Sequence, residues 1–371
     1  MKIRCQREKF LPLFSLVSSF CSTKDVRPAL QNVKLIVDES KVTLMATDGE
    51  VGGRGEISVS DGFVVEQAGE AILPTKIFKR ILAETTDAEF QLEVEGALLV
   101  VKGAHFRYQL NTLGETEKFP VVAPFSESTY FKVSSKSLCD LIRRTVFATD
   151  TNNSRYELRG VKFIFDEDRV SAVATDGRRL AYQFCACDVV GATESTNGVE
   201  AIFPPRTLNL LERAASDVEF ALISIKGAQA FIQLGSFVVS TTLMVGRFPD
   251  WKSIIPDKSG KRRVDFIAGE LARAIRQAEI VATENKPGVW FNFTKGKVNV
   301  AAAGEATGES SVDIPIAYDG DDEKLRLDSR FLNDFFHAVG EEETVAFYFL
   351  QDYRTLFETT DAYQYVVMQL A

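Results

Sequence analysis

Apolar and polar residues alternate through MKIRC, YFKVS and RVDFIA, and each of these runs gives way to an apolar stripe at helical spacing, over Lys9 to Phe20, Lys136 to Phe147 and Glu270 to Val281. In the second stripe Leu138, Leu141, Ile142 and Val146 form one face. Further alternating runs follow, and then a second helical pattern over Thr75 to Glu84, Pro205 to Ala215 and Ser329 to Ala338. The last of these places Phe331, Phe335 and Phe336 on one stripe. Strands greatly outnumber helices, so the pattern predicts an α+β chain.

The elements recur because the sequence does. Ala-Thr-Asp-Gly occurs at Ala46 and Ala174, and a step of the same size reaches Ala301, where only Gly304 remains of the motif. ILPTKIFKRILAE around Pro74 corresponds to IFPPRTLNLLERA around Pro204, with LRLDSRFLNDFFHAV as a fainter third copy. GETEKFP, ending at Pro120, corresponds to VGRFPDW around Pro249. The predicted organisation is three diverged copies of one unit, over 1–125, 126–256 and 257–371, each a pair of strand-helix-strand-strand-strand halves. Asp-Gly between two β-rich runs is a hairpin signal, so Asp48, Gly49, Asp176 and Gly177 read as turn residues of the repeat. Loss of Asp from the third copy fits a replaceable turn residue and fits catalysis badly.

Charge adds a second pattern. The whole chain carries a formal -9, which disfavours a surface attractive to nucleic acid everywhere. The six helical segments nevertheless hold twelve basic residues against six acidic ones. A solvated helix face is one reading of that excess, and a positive surface for a phosphate backbone is the other. The polar, charged N-terminus MKIRCQREKF leaves no room for a signal-peptide apolar region. The uncharged stretch Gly227 to Gly246 is broken by Gln and Ser/Thr and reads as two strands, so no membrane span is expected. Five scattered cysteines point to a reduced, cytoplasmic protein.

No constellation for catalysis or for a cofactor emerges. His105 and His337 lie in different copies without a paired ligand, and Cys185 with Cys187 makes half a zinc site. DGEVGGRGE spells neither phosphate-loop pattern, and YDGDDE lacks the calcium-loop spacing. On the residues alone, a nuclease using scattered carboxylates and a non-encircling DNA-binding scaffold remain open beside a non-catalytic encircling protein.

ATDGRRLA, GRFPDWKSIIP and the closing YVVMQLA together resemble the bacterial DNA polymerase III beta subunit, the sliding clamp family, with a likeness that covers the entire chain. The resemblance implies the DNA clamp fold: three repeated domains, each with two helices backed by antiparallel sheets, forming a ring-shaped homodimer around duplex DNA. It implies no catalytic chemistry and no cofactor. The partners implied are the replicative polymerase catalytic subunit, an ATP-dependent clamp loader, and repair and replication proteins bearing short apolar motifs.

By position, the implied DNA-facing residues are Lys24, Lys79, Arg80, Asn152, Asn153, Arg155, Tyr156, Arg206 and Arg213. The implied partner groove is walled by Arg155, Leu158, Thr175, Gly177, Arg178, Arg179, Leu180, Pro249, Ile254, Val366, Val367, Met368 and Leu370. Tyr108 and Leu110 would meet Ile280 and Val281 across the subunit interface, with ordinary core as the competing reading for all four. Glu157, Arg178, Ser253 and the ending Gln369-Leu370-Ala371 depart from the common family pattern, which points to altered partner preference.

Overall fold

A computed structural model describes residues 1–23, 27–113, 118–151, 155–191, 196–283, 288–350 and 352–370. The first copy runs β1 (Lys2–Gln6), α1 (Arg7–Ser18), β2 (Val33–Val37), β3 (Lys41–Thr47), β4 (Val51–Ser58), β5 (Phe63–Gln67), β6 (Gly69–Leu73), α2 (Thr75–Glu84), β7 (Glu89–Glu95), β8 (Leu98–Lys102) and β9 (Arg107–Asn111). The second runs β10 (Tyr130–Ser134), α3 (Ser135–Thr145), β11 (Val161–Phe165), β12 (Arg169–Thr175), β13 (Arg179–Ala186), β14 (Asp188–Val190), β15 (Val199–Phe203), α4 (Pro205–Ala214), β16 (Phe220–Lys226), β17 (Gln229–Leu234) and β18 (Phe237–Thr242). The third runs β19 (Arg263–Ile267), α5 (Ala268–Glu279), β20 (Gly288–Thr294), β21 (Lys297–Gly304), β22 (Gly308–Pro315), β23 (Glu323–Asp328), α6 (Ser329–Ala338), β24 (Thr344–Phe349), β25 (Arg354–Thr359) and β26 (Gln364–Met368).

Apart from β5 and β14, every copy is two successive β-α-β-β-β halves. The halves exchange their first strands: β1 pairs with β7 and β6 with β2, and the same exchange recurs as β10 with β16, β15 with β11, β19 with β24 and β23 with β20. Each half therefore completes the other's sheet.

Four antiparallel sheets result, in the orders β5-β1-β7-β8-β9, β14-β10-β16-β17-β18-β4-β3-β2-β6, β15-β11-β12-β13-β26-β25-β24-β19 and β22-β21-β20-β23. Two strand joints cross from copy to copy, β18 with β4 and β26 with β13. Compact packing follows those joints rather than the copies. One unit comprises Met1–Cys139, Cys187–Glu194 and Arg206–Leu243, and the other comprises Asp140–Ala186, Ser195–Pro205 and Met244–Ala371, so the division runs through the second copy.

In the first unit the cores of α1 and α2 are aromatic: Phe14 meets Phe78 edge-on at 5.0 Å and Phe10 meets Phe90 at 5.4 Å. In the second unit Phe335 of α6 stacks on Tyr365 of β26 at 4.9 Å, and Phe347 meets Phe357 at 5.2 Å. The observed α1 adds Arg7 and Glu8 to the helical charges, so the basic excess predicted for the helices stands. Among the described residues no helix is long and apolar enough to cross a membrane.

Candidate functional site

The two Ala-Thr-Asp-Gly turns are built atom for atom alike. In the first, Thr47 Oγ1 donates to the Val51 carbonyl at 3.0 Å and accepts from the Gly49 amide at 3.0 Å, while Asp48 Oδ1 accepts from the amides of Glu50 and Val51, both at 2.9 Å. In the second, Thr175 Oγ1 donates to the Arg179 carbonyl at 2.6 Å and accepts from Gly177, and Asp176 Oδ1 accepts from Arg178 and Arg179. Gly49 and Gly177 take φ values of 99° and 88°, a region that costs glycine least. The Asp side chain thus closes a turn, and the motif is structural in both copies.

Beyond the turns the two copies diverge. Leu180 on β13 and Val366 on β26 pair directly, and they share one apolar cluster with Leu158, Ile254, Phe248, Trp251, Tyr348 and Leu356. Tyr182, Met244, Ile255 and Leu350 pack against its edge while keeping partial exposure. Trp251 stacks on Tyr182 at 4.7 Å. Pro249 lies half-buried between Phe248 and Trp251 and accepts the Trp251 amide proton at 2.8 Å. The Met368 amide donates to the Arg178 carbonyl at 2.9 Å, which sets exposed Met368 beside exposed Arg178 at the rim. Arg155 is exposed just before Leu158, on the short turn Tyr156–Arg159.

Three of the predicted wall residues stand apart. Val367 is fully buried and, one position after Val366, points to the opposite face of β26, so it adds nothing to the wall that Val366 lines. Leu370 lies beyond the cluster, its amide donating to the Arg326 carbonyl at 2.8 Å and its side chain close over Gly288. Arg179 is turned inward: it donates to Asp176 at 3.0 Å, Asp334 at 2.5 Å and the Phe147 carbonyl at 2.7 Å, and its guanidinium covers the Phe331 ring at 4.5 Å. Burial opposes that charge, but Tyr365, Asp334 and Asp176 hold it more firmly protonated than an ordinary arginine. Spacing missed Phe248, Trp251, Tyr182 and Tyr348, although Leu180 and Tyr182 sit two apart on one strand and so share a face.

Lys79 and Arg80 of α2 and Arg213 of α4 are exposed, as are Arg155 and Tyr156. Arg206 is exposed too, but its Nε donates to Asp48 Oδ2 at 2.7 Å. Arg144, counted among the basic helical charges, is buried and pairs with Glu343 and Asp361, so it is withdrawn from any phosphate. Lys24, Asn152 and Asn153 lie outside the described residues. Tyr108 and Leu110 are on β9, an edge strand, and Tyr108 is 40% exposed. Ile280, directly after α5, is 77% exposed, and half-buried Val281 accepts at its carbonyl from Thr307 Oγ1 at 2.5 Å. No cluster of His, Cys, Asp or Glu suited to a metal occurs among the described residues. Burial pushes the Cys5 thiol up and that of Cys21 up to about 11, so neither is a thiolate near neutral pH.

Residues 1–123 match the family described as DNA polymerase III beta subunit, N-terminal domain, and residues 132–250 match its central domain. The chain belongs to the DNA polymerase III beta-subunit family. It is 27% identical over 350 residues to the beta sliding clamp of Proteus mirabilis, covering 92% of each chain, and 27% identical over 346 residues to that of Pseudomonas putida, again covering 92% of each. Among solved structures, the griselimycin-bound sliding clamp of Pseudomonas aeruginosa superposes with a TM-score of 0.90 at 26% identity, over 100% of this chain and 99% of that one. The Bacillus subtilis clamp shares the fold at a TM-score of 0.91 and 20% identity, over 100% of this chain and 99% of that one. The function is that of a DNA sliding clamp, a processivity subunit of DNA polymerase III without catalytic chemistry of its own.

In this clamp the two cross-copy joints differ in what they leave open. At the β18–β4 joint, Gly52 lets Val122 lie against the strand, where a Cβ would come within 2.8 Å of a Val122 methyl; Val122 and Phe119 then close over Met45 and Ile72. At the β26–β13 joint, Leu180 occupies the place of Gly52. The equivalent segment, Phe248 to Ile255, is held off the strand by that side chain and leaves a partly exposed apolar margin. One joint is sealed by the chain itself, and the other is left as a groove.

Proposed function

We propose that two copies of this chain join head to tail into a ring that encircles duplex DNA. The observation that carries the proposal is a pair of strand edges left over by the repeat. The β18–β4 and β26–β13 joints are equivalent, and the same operation would next join β9 of one copy to β22 of another, both of which are edge strands. Such a contact is heterologous, and closure after two copies makes it a ring.

The register follows from the internal joints. Val51 faces Thr241 and Arg179 faces Val367; carried to the free edges, Gly308 would face Leu110, Ser310 would face Tyr108 and Val312 would face Phe106. Ser310 Oγ already donates to the Ala278 carbonyl at 2.6 Å, so its face of β22 is the one beside the end of α5. Tyr108 and Leu110 would therefore arrive next to Ile280 and Val281. On the other face Arg107 would sit diagonal to Glu309, an attractive pair.

Exposed Lys79, Arg80 and Arg213 then supply sequence-independent attraction to phosphates, and encirclement supplies persistence. The three domains would be 1–125, 126–256 and 257–371, a division supported by family matches to residues 1–123 and 132–250. The groove around Leu180, Val366, Ile254 and Met368 takes a short apolar motif from the polymerase and from other replication and repair proteins. Each buried Leu or Phe anchor contributes roughly 1.5 to 3 kcal/mol, and ordering costs keep the net affinity exchangeable. An ATP-dependent loader opens the ring in the cytoplasm. Native mass measurement tests the assembly: the wild type should run as a dimer, and Ile280→Asp, at an exposed position, should give a folded monomer. A dimeric Ile280→Asp protein would place the interface elsewhere.

A further inference from the structure

A second opening lies beside the apolar groove, a polar cleft of about 510 Å³ whose lining includes Asp150, Asp176, Arg178, Arg330 and Asp334. Asp176 and Asp334 are both engaged by Arg179. Arg330 donates to both oxygens of buried Asp328, at 3.0 and 2.6 Å, and remains 61% exposed at its side chain. The exposed Arg178 side chain has no hydrogen-bond or ion-pair partner among the described residues, while its carbonyl holds the Met368 amide at the groove rim.

The equivalent place at the first joint is closed by the chain itself. There Arg206, the counterpart of Arg330, pairs with Asp48, the counterpart of Asp176, and Glu50 stands where Arg178 does. At the second joint Arg179 replaces Val51 and takes Asp176 for itself, which leaves Arg330 on Asp328 and the space between them open. A closed ion pair in one copy has become a cleft with an unpartnered cation in the other.

We infer that this cleft receives a carboxylate side chain carried next to the apolar anchors of the partner motif, with Arg178 as its main donor and Arg330 as the second. The inference rests on the reading of the neighbouring groove as the partner site. The mixed lining favours one acidic side chain over a DNA backbone, because a run of phosphates would approach Asp150, Asp176 and Asp334 together, whereas a single carboxylate can be placed against Arg178.

The test uses the full chain and synthetic peptides with leucine and phenylalanine anchors, in which one aspartate is moved through each flanking position and compared with asparagine there, binding being followed by fluorescence anisotropy. At one position aspartate should bind about 3- to 10-fold more tightly than asparagine, and Arg178→Gln should bring that ratio close to one. Peptides that bind with no preference for aspartate at any position would overturn the inference and leave the groove standing. Failure of every peptide to bind would overturn the groove reading instead. If Arg178→Gln keeps the aspartate preference but weakens retention on DNA, Arg178 serves phosphate and the inference falls.

Discussion

Arg179 on β13 donates to Asp334 on α6 across 2.5 Å, with its side chain only 10% exposed. The same guanidinium holds the Asp176 turn and the Phe147 carbonyl, so one side chain ties three elements of the second unit together. Arg179→Met should cost about 3 kcal/mol in chemical denaturation, because the carboxylates and the carbonyl lose their donor. Arg179→Lys should recover little of this, since an ammonium cannot reproduce the planar fork. A loss below about 0.5 kcal/mol for Arg179→Met would mean that the cluster is incidental.

The glycines of β4 make a steric prediction. A Cβ on Gly53 would lie 2.7 Å from the Phe20 ring and 2.9 Å from that of Phe237. Gly53→Ala should destabilise the chain by roughly 1 to 3 kcal/mol through overpacking. Thermal unfolding reads this directly, and an unchanged melting temperature would show that the two rings can move apart freely.

Acid should weaken the second unit through Asp361. Burial raises its pKa, but hydrogen bonds from Thr359 and Arg144 outweigh this and hold the carboxyl below its ordinary value of 3.8. A depressed folded pKa gives stability that is present above the unfolded value and is lost as pH falls through the folded one. Stability should therefore be flat from about pH 7 to 5 and decline below about pH 4. Asp361→Asn should be less stable at neutral pH and show a shallower acid decline; an identical acid profile would remove Asp361 from this role.

The exposed helical cations should differ in weight. Removing Lys79, Arg80 or Arg213 should each reduce the slope of log affinity against log salt by about 0.9 if the side chain neutralises one phosphate. Arg206→Ala should change the slope less, because Asp48 already neutralises that guanidinium. Equal effects at all four positions would mean that the Arg206–Asp48 pair opens on DNA.

Periodicity located the helices well, placing α2 at Thr75–Glu84 and α6 at Ser329–Ala338 to the residue. It put the starts of α1, α3 and α5 one or two residues late, at Lys9, Lys136 and Glu270 instead of Arg7, Ser135 and Ala268. The physical reason is that these helices continue from their strands without a turn, and α1 and α5 begin without a side-chain cap, so no Ser, Thr, Asp or Asn signal marks the boundary. The hairpin role of Asp48 and Asp176 was legible because it is local. The inward commitment of Arg144, Arg179 and Arg206 was not, since their partners lie 199, 155 and 158 residues away. Nor could spacing reveal that Phe248 and Trp251 line the groove, because their packing depends on the β13–β26 joint.

Encirclement is tested most directly by assembling the chain on a circular duplex with its loader and ATP, removing free protein, and then cutting the circle at one site. A ring should stay on the intact circle and be lost once free ends exist. Equal retention on the circular and the linearised DNA would contradict it.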